Sequence, residues 1–171
     1  MLSVPQLLAL LTAVTGCVTD LRMRRVPNAL TFGAAAAAFV FHVIDGGWPG
    51  LGWAAAGWFV GLALFLPFFA LGGIGGGDVK LLAALGAWLG PGPTVWLAIY
   101  AALAGGVLAI LVSAATGYVR EALRNVWGLL MFWRVVGFRP HPGLTLESAA
   151  SPRLPYALPI AAGLVLTIWL R

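Results

Sequence analysis

Six apolar runs occupy most of this chain, at 2–19, 29–44, 51–71, 79–89, 94–116 and 155–170. A helix that spans the hydrocarbon core of a bilayer needs roughly 17–25 residues, so the third and fifth runs qualify outright. The first, second and sixth sit near the lower limit and draw on flanking residues. The fourth is too short unless the glycine-rich stretch before it also lies at membrane depth. Charged residues make up only 9% of the 171, against about 25% in a soluble domain, so too few polar side chains exist to coat a water-facing surface. The expected fold is all-α: one integral membrane bundle of about six transmembrane helices over residues 1–171, with no second domain.

Basic residues give the orientation. Placing Arg22, Arg24 and Arg25 in the cytoplasm also brings Lys80, Arg120, Arg124, Arg134, Arg139 and Arg153 to that side and leaves only Arg171 outside, as the positive-inside rule describes. The net charge of +5 then reflects topology and contact with anionic headgroups; spread over several loops, it does not suggest a nucleic-acid partner. Within 117–153, Ala122, Val126, Leu129, Leu130 and Trp133 are spaced like one face of a helix, with Arg120, Glu121, Arg124, Asn125 and Arg134 mostly on the other. This stretch is expected to form an interfacial helix on the cytoplasmic leaflet, followed by irregular chain around Pro140, Pro142 and Pro152. A lone cysteine, Cys17, excludes an internal disulfide and a cysteine-based zinc site. Val14-Thr15-Gly16-Cys17 looks like a lipoprotein processing box, but nothing basic precedes the apolar run, and Cys17 reads as a small buried residue of the first helix.

Five acidic residues exist in the whole chain. Asp45, in Asp45-Gly46-Gly47, reads as a turn former on the outer side. Glu121 lies among arginines and Glu147 in the irregular loop. Asp20 and Asp78 remain, each at the cytoplasmic end of an apolar helix, where a carboxylate is costly and by default a functional candidate. Asp20 could instead simply pair with Arg24, one helical turn on. Asp78 follows Gly72-Gly73-Ile74-Gly75-Gly76-Gly77; such a run lets the backbone bend and another chain approach closely. Irregular backbone at membrane depth survives only where protein or a water-filled cavity receives it, so a wet cleft is expected beside Asp78, with a backbone edge to which an extended substrate can pair. Two adjacent carboxylates share a proton: the ionised one can deprotonate a water while the protonated one polarises a scissile carbonyl. That is aspartic-protease chemistry, and it requires neither metal nor cofactor. His42, near the opposite membrane face, and His141, in a proline-rich loop, read as bystanders.

Gly75-Gly76-Gly77-Asp78-Val79-Lys80 resembles the G-x-G-D-x-K motif of the type IV prepilin leader peptidases. Asp20 followed by Val26-Pro27-Asn28 is similar to that family's first catalytic aspartate and the hydrophobic-Pro-Asn that follows it, and the run from Pro155 and Tyr156 through Pro159 to Gly163 is similar to its closing pattern. The resemblance implies that Asp20 and Asp78 are catalytic, with Gly75, Gly76, Gly77, Lys80, Pro27 and Asn28 as binding or structural support. It implies an aspartic endopeptidase of the bacterial inner membrane that removes the short basic leader of prepilins or pseudopilins on the cytoplasmic side. Lys80 is assigned an electrostatic role. Longer members carry a cytoplasmic insertion, often with paired cysteines, associated with N-methylation of the product; here the loop from Asp20 to Pro27 is short and cysteine-free, like the peptidase-only form of tight-adherence pilus systems.

The rival reading is a small proton-coupled transporter, because intramembrane carboxylates and broken helices mark those proteins too. A transporter site usually lies near the midplane, whereas both aspartates sit toward one face and no inverted repeat is visible. A third reading, an assembly factor that kept the fold without activity, is opposed by the intact acid pair and glycine run.

Overall fold

The structure, a computed structural model, describes residues 2–141, 143 and 155–170, and among these it contains six helices and no strand. The irregular chain expected around Pro142 and Pro152, together with Glu147 and Arg153, lies outside the described residues. Helix α1 (Val4–Met23) starts where the Ser3 hydroxyl accepts the Gln6 N–H and the Gln6 side chain accepts the Ser3 N–H, a reciprocal cap that satisfies two orphan amides. It ends at Arg24, whose N–H donates to the Asp20 carbonyl.

Helix α2 (Asn28–Ala70) holds the second and third apolar runs. Nineteen positions along a straight helix would part Phe39 and Trp58 by about 28 Å, yet their ring centroids stand 6.5 Å apart. Gly47, at φ 60° and ψ −146°, reverses the chain in a region that favours a residue without Cβ. The turn expected at Asp45-Gly46-Gly47 is thus carried by Gly47, with Asp45 exposed beside it. The two arms, 28–46 and 48–70, lie side by side as a helical hairpin.

Helix α3 (Gly76–Leu89) is the centre of the bundle. Residues 81–88 are all buried, and α1, α2, α4 (Pro91–Ala115) and α6 (Ala157–Leu170) all pack on it. Its 14 residues extend about 21 Å, short of the roughly 30 Å hydrocarbon core; it is a strut enclosed by the other helices. The second arm of α2 meets it backbone to backbone. A Cβ added at Gly57 would lie 2.0 Å from the Gly86 carbonyl oxygen, and one at Gly61 2.7 Å from Ala83 Cα. Small residues at such contacts let membrane helices pack at close range.

Helices α1, α2 and α4 are long and apolar enough to cross a membrane, and α6 is a shorter apolar helix. Their outward faces carry exposed large apolar residues such as Leu7, Leu11, Phe59 and Ile110, which fits a membrane-embedded bundle with lipid as its solvent. At one end the start of α1, the hairpin bend, the end of α3 and the start of α4 surround a cavity of about 270 Å³ lined by residues including Ser3, His42, Trp53, Leu89 and Pro93. At the other end, α1 finishes beside the start of α6, and α2 begins beside the start of α3. Helix α5 (Val119–Val136) forms where the periodicity places one. It has no buried residue and, among the described residues, packs only on α4.

Candidate active site

Asp20 lies in the last turn of α1 and Asp78 in the first turn of α3. The antiparallel packing of these helices brings both to the same end of the bundle, where the Asp20 carboxylate is within electrostatic reach of Asp78. Asp20 is 8% exposed, and its Oδ2 accepts the Ala157 N–H at 3.3 Å. That amide is one of the orphan donors at the start of α6, so the carboxylate caps a helix on the far side of the chain. Asp78 is half-buried, and its Oδ2 accepts the Gly75 N–H at 3.2 Å. Each carboxylate therefore has one oxygen held by a backbone amide.

The glycine run acts here less through unusual torsions than through close approach. Of its members only Gly72 takes a positive φ, 75°; Gly75 is extended, and Gly76 and Gly77 are already helical. A Cβ on Gly77 would stand 3.2 Å from Val26 Cβ, so the first turn of α3 lies against the residue before Pro27. Pro27 in turn occupies the N-cap of α2, and Lys80 Nζ donates to Asn28 Oδ1 at 3.0 Å while standing 5.5 Å above the Phe32 ring. Val26, Pro27, Asn28, Gly77 and Lys80 thus form one joint between the start of α2 and the start of α3. Lys80 is tethered to α2 by that hydrogen bond.

Two contributors to the site are absent from the sequence-based candidate set. Tyr156 is half-buried, its ring centroid 6.1 Å from that of Phe65, and lies within electrostatic reach of Asp78. Ala157 donates to Asp20 and also accepts the Cys17 thiol at 3.1 Å. Cys17, expected as a small buried residue of the first helix, is half-buried and helps clasp α1 to α6. The available signal was the Pro155-Tyr156-Ala157 run opening the last apolar helix. His42 Nε2 stands 3.3 Å from the Trp88 carbonyl oxygen at the opposite end, and His141 packs its ring on Phe132. Among the described residues no three His, Cys, Asp or Glu side chains are grouped so as to hold a metal ion.

What the arrangement can do is hold two carboxyl groups near one another at the edge of an apolar bundle. The family model of the type IV leader peptidase family matches residues 7–110. That span contains Asp20, Pro27, Asn28, the glycine run, Asp78 and Lys80, and stops short of α5 and of the Pro155–Gly163 run. No curated protein and no solved structure matches the chain.

Proposed function

The chain belongs to the type IV leader peptidase family, a family of aspartic-type prepilin peptidases, and we propose that Asp20 and Asp78 are its catalytic pair. The observation that carries this reading is the placement of the two carboxylates at the same end of the bundle, in the last turn of α1 and the first turn of α3, within electrostatic reach of each other. With one proton between them, the ionised group takes a proton from water as that water attacks the scissile carbonyl, and the protonated group donates to the carbonyl oxygen. Collapse of the tetrahedral intermediate returns a proton to the leaving amine. The amides of Ala157 and Gly75 hold one oxygen of each carboxylate, and in this mechanism the remaining oxygens act on water and substrate.

The aspartate end is the cytoplasmic end in this reading. Support comes from Arg22, Arg24 and Arg25 just beyond Asp20 and from the arginines of α5, which follow the rule for basic residues at the inner face. Helix α5 lies on that leaflet, with Leu123, Val126, Trp127 and Leu130 exposed and available to the headgroup boundary. The substrates are prepilins or pseudopilins of the bacterial inner membrane, cut after a short basic leader.

Incubating membranes that contain this chain with candidate prepilins tests the reading: the expected product has lost its leader, and no cleavage with any prepilin would overturn it. The short loop between Asp20 and Val26 leads to a second expectation. Mass spectrometry of pilin processed by this enzyme alone should show an unmethylated N-terminus, and an N-methyl group would refute the peptidase-only form. The joint between α2 and α3 gives a third. Asn28→Ala and Lys80→Met are each expected to slow cleavage by about tenfold, and the double variant by no more than either, because both remove the same bond. Multiplying effects in the initial rates would show that Lys80 acts elsewhere.

A further inference from the structure

The cavity at the end of the bundle away from the aspartates, about 270 Å³, has room for far more than one water and has mixed walls. Leu89, Pro93 and Ile168 give it apolar sides, and no acid, lysine or arginine lines it. Several of its polar groups are already engaged. The Ser3 hydroxyl oxygen accepts the Gln6 N–H, the Gln6 side-chain oxygen accepts the Ser3 N–H, and the Thr167 hydroxyl donates to the Gly163 carbonyl. Trp88 differs. It lines the cavity at 4% exposure, and its buried indole N–H has no hydrogen-bond partner among the described residues. Its surroundings hold it there: the Phe41 ring stands 5.9 Å from its own, and His42 Nε2 lies 3.3 Å from its carbonyl oxygen. A buried donor left in that state is costly, and folded proteins almost always satisfy such groups.

We propose that this cavity seats the glycerol-ester region of one phospholipid, with an ester carbonyl accepting the Trp88 indole N–H. The walls choose the chemistry. They ask for an acceptor oxygen on an apolar body, and they hold no cation to match a headgroup phosphate or a fatty-acid carboxylate. The first part of an acyl chain has Leu89 and Ile168 to lie against. The level is marked by tryptophans. Trp48, at the hairpin bend, and Trp53, in the cavity wall, are both exposed at this end, and tryptophan favours the boundary between hydrocarbon and headgroups, where glycerolipids carry their ester groups. The inference requires that the bundle lie in a membrane and is independent of what it cleaves. A lipid bound this way fills the space between the start of α1, the end of α3 and the end of α6. It thereby fastens the end of α3 that lies opposite Asp78.

Vesicles of dioleoyl phosphatidylcholine and of its diether analogue, which lacks the two carbonyls, test the assignment. The unsubstituted chain is expected to unfold about 3 °C higher in the diester vesicles. Trp88→Phe keeps an aromatic ring and drops the N–H, so its midpoint should be the same in both lipids. Trp127→Phe, exposed on α5, should keep the difference. Equal midpoints for the unsubstituted chain would overturn the proposal, as would a difference that survives in Trp88→Phe. A second measurement needs no variant, and so holds even if Trp88→Phe does not fold. The unsubstituted chain is taken from detergent containing equal amounts of the two lipids and weighed intact by native mass spectrometry. One phospholipid per chain is expected, with the diester form retained over the diether by about fivefold. Retention of both lipids alike, or of neither, would refute the site.

Discussion

Asp20→Asn and Asp78→Asn are each expected to cut the rate of leader removal by at least about 10²-fold, with the protein still accumulating in membranes. The reasoning is chemical and local. Asparagine keeps the shape of the side chain and an oxygen that can accept the Ala157 or Gly75 amide, so the hydrogen bonds to α6 and to the first turn of α3 survive. What disappears is the exchangeable proton. With one member unable to ionise, the pair can no longer both accept a proton from water and donate one to the carbonyl. Because the two act as one unit, the double variant should be little slower than either single one. Asp45→Asn is the matched control, since Asp45 is exposed at the hairpin bend, at the other end of the bundle. The measurement is the shift of a prepilin to its processed form, beside an immunoblot for the enzyme in the same membranes. Full processing by Asp78→Asn would remove the assignment of the pair.

How much of this could be read from the sequence depends on whether each feature is local. The apolar runs and the glycines and prolines between them mark the helices, and α1, α4 and α6 lie close to where the runs place them. Asp20 and Asp78 stand out because a carboxylate at the edge of an apolar helix is costly to keep there. The centrality of α3 was not legible. In water a helix shows its exposed side by its polar residues, but in lipid the exposed side is apolar as well, so 81–88 would look the same facing lipid as facing protein. Helix α5 is the exception that supports the point: it alternates arginines with leucines and tryptophans, and its periodicity located it. Tyr156 and Ala157 reach the site only because α6 packs on α4 through Gly163, where an added Cβ would meet the Ala101 nitrogen at 2.6 Å, and on α1 through Cys17. The bond between Lys80 and Asn28 likewise joins residues 52 positions apart, which no local pattern announces.

Gly57→Val is expected to destabilise the bundle by about 3 kcal/mol or more and to abolish leader removal, although Gly57 is remote from both aspartates in sequence. A Cβ at this position would stand 2.0 Å from the Gly86 carbonyl oxygen and 2.8 Å from Gly90 Cα. Both obstacles are backbone, so no rotamer change can relieve the overlap, and one helix must move away from the other. The helix that moves carries Asp78. Gly86 lies two turns from it, about 12 Å along α3, and that helix is enclosed on all sides by its neighbours. A displacement forced at Gly86 is therefore passed along a rigid strut to the first turn and opens the distance between Asp78 and Asp20. Gly61→Val acts nearer still, since its Cβ would meet Ala83 Cα at 2.7 Å. Gly33→Val and Gly52→Val are the controls: nothing lies within 4 Å of a Cβ at either position, and both should keep heat resistance and activity. Thermal unfolding in detergent, read beside prepilin processing, separates the two groups. A Gly57→Val protein as heat-resistant as Gly52→Val would mean that α2 and α3 do not meet at Gly57 and Gly86, and the route by which the fold sets the position of Asp78 would have to be sought elsewhere.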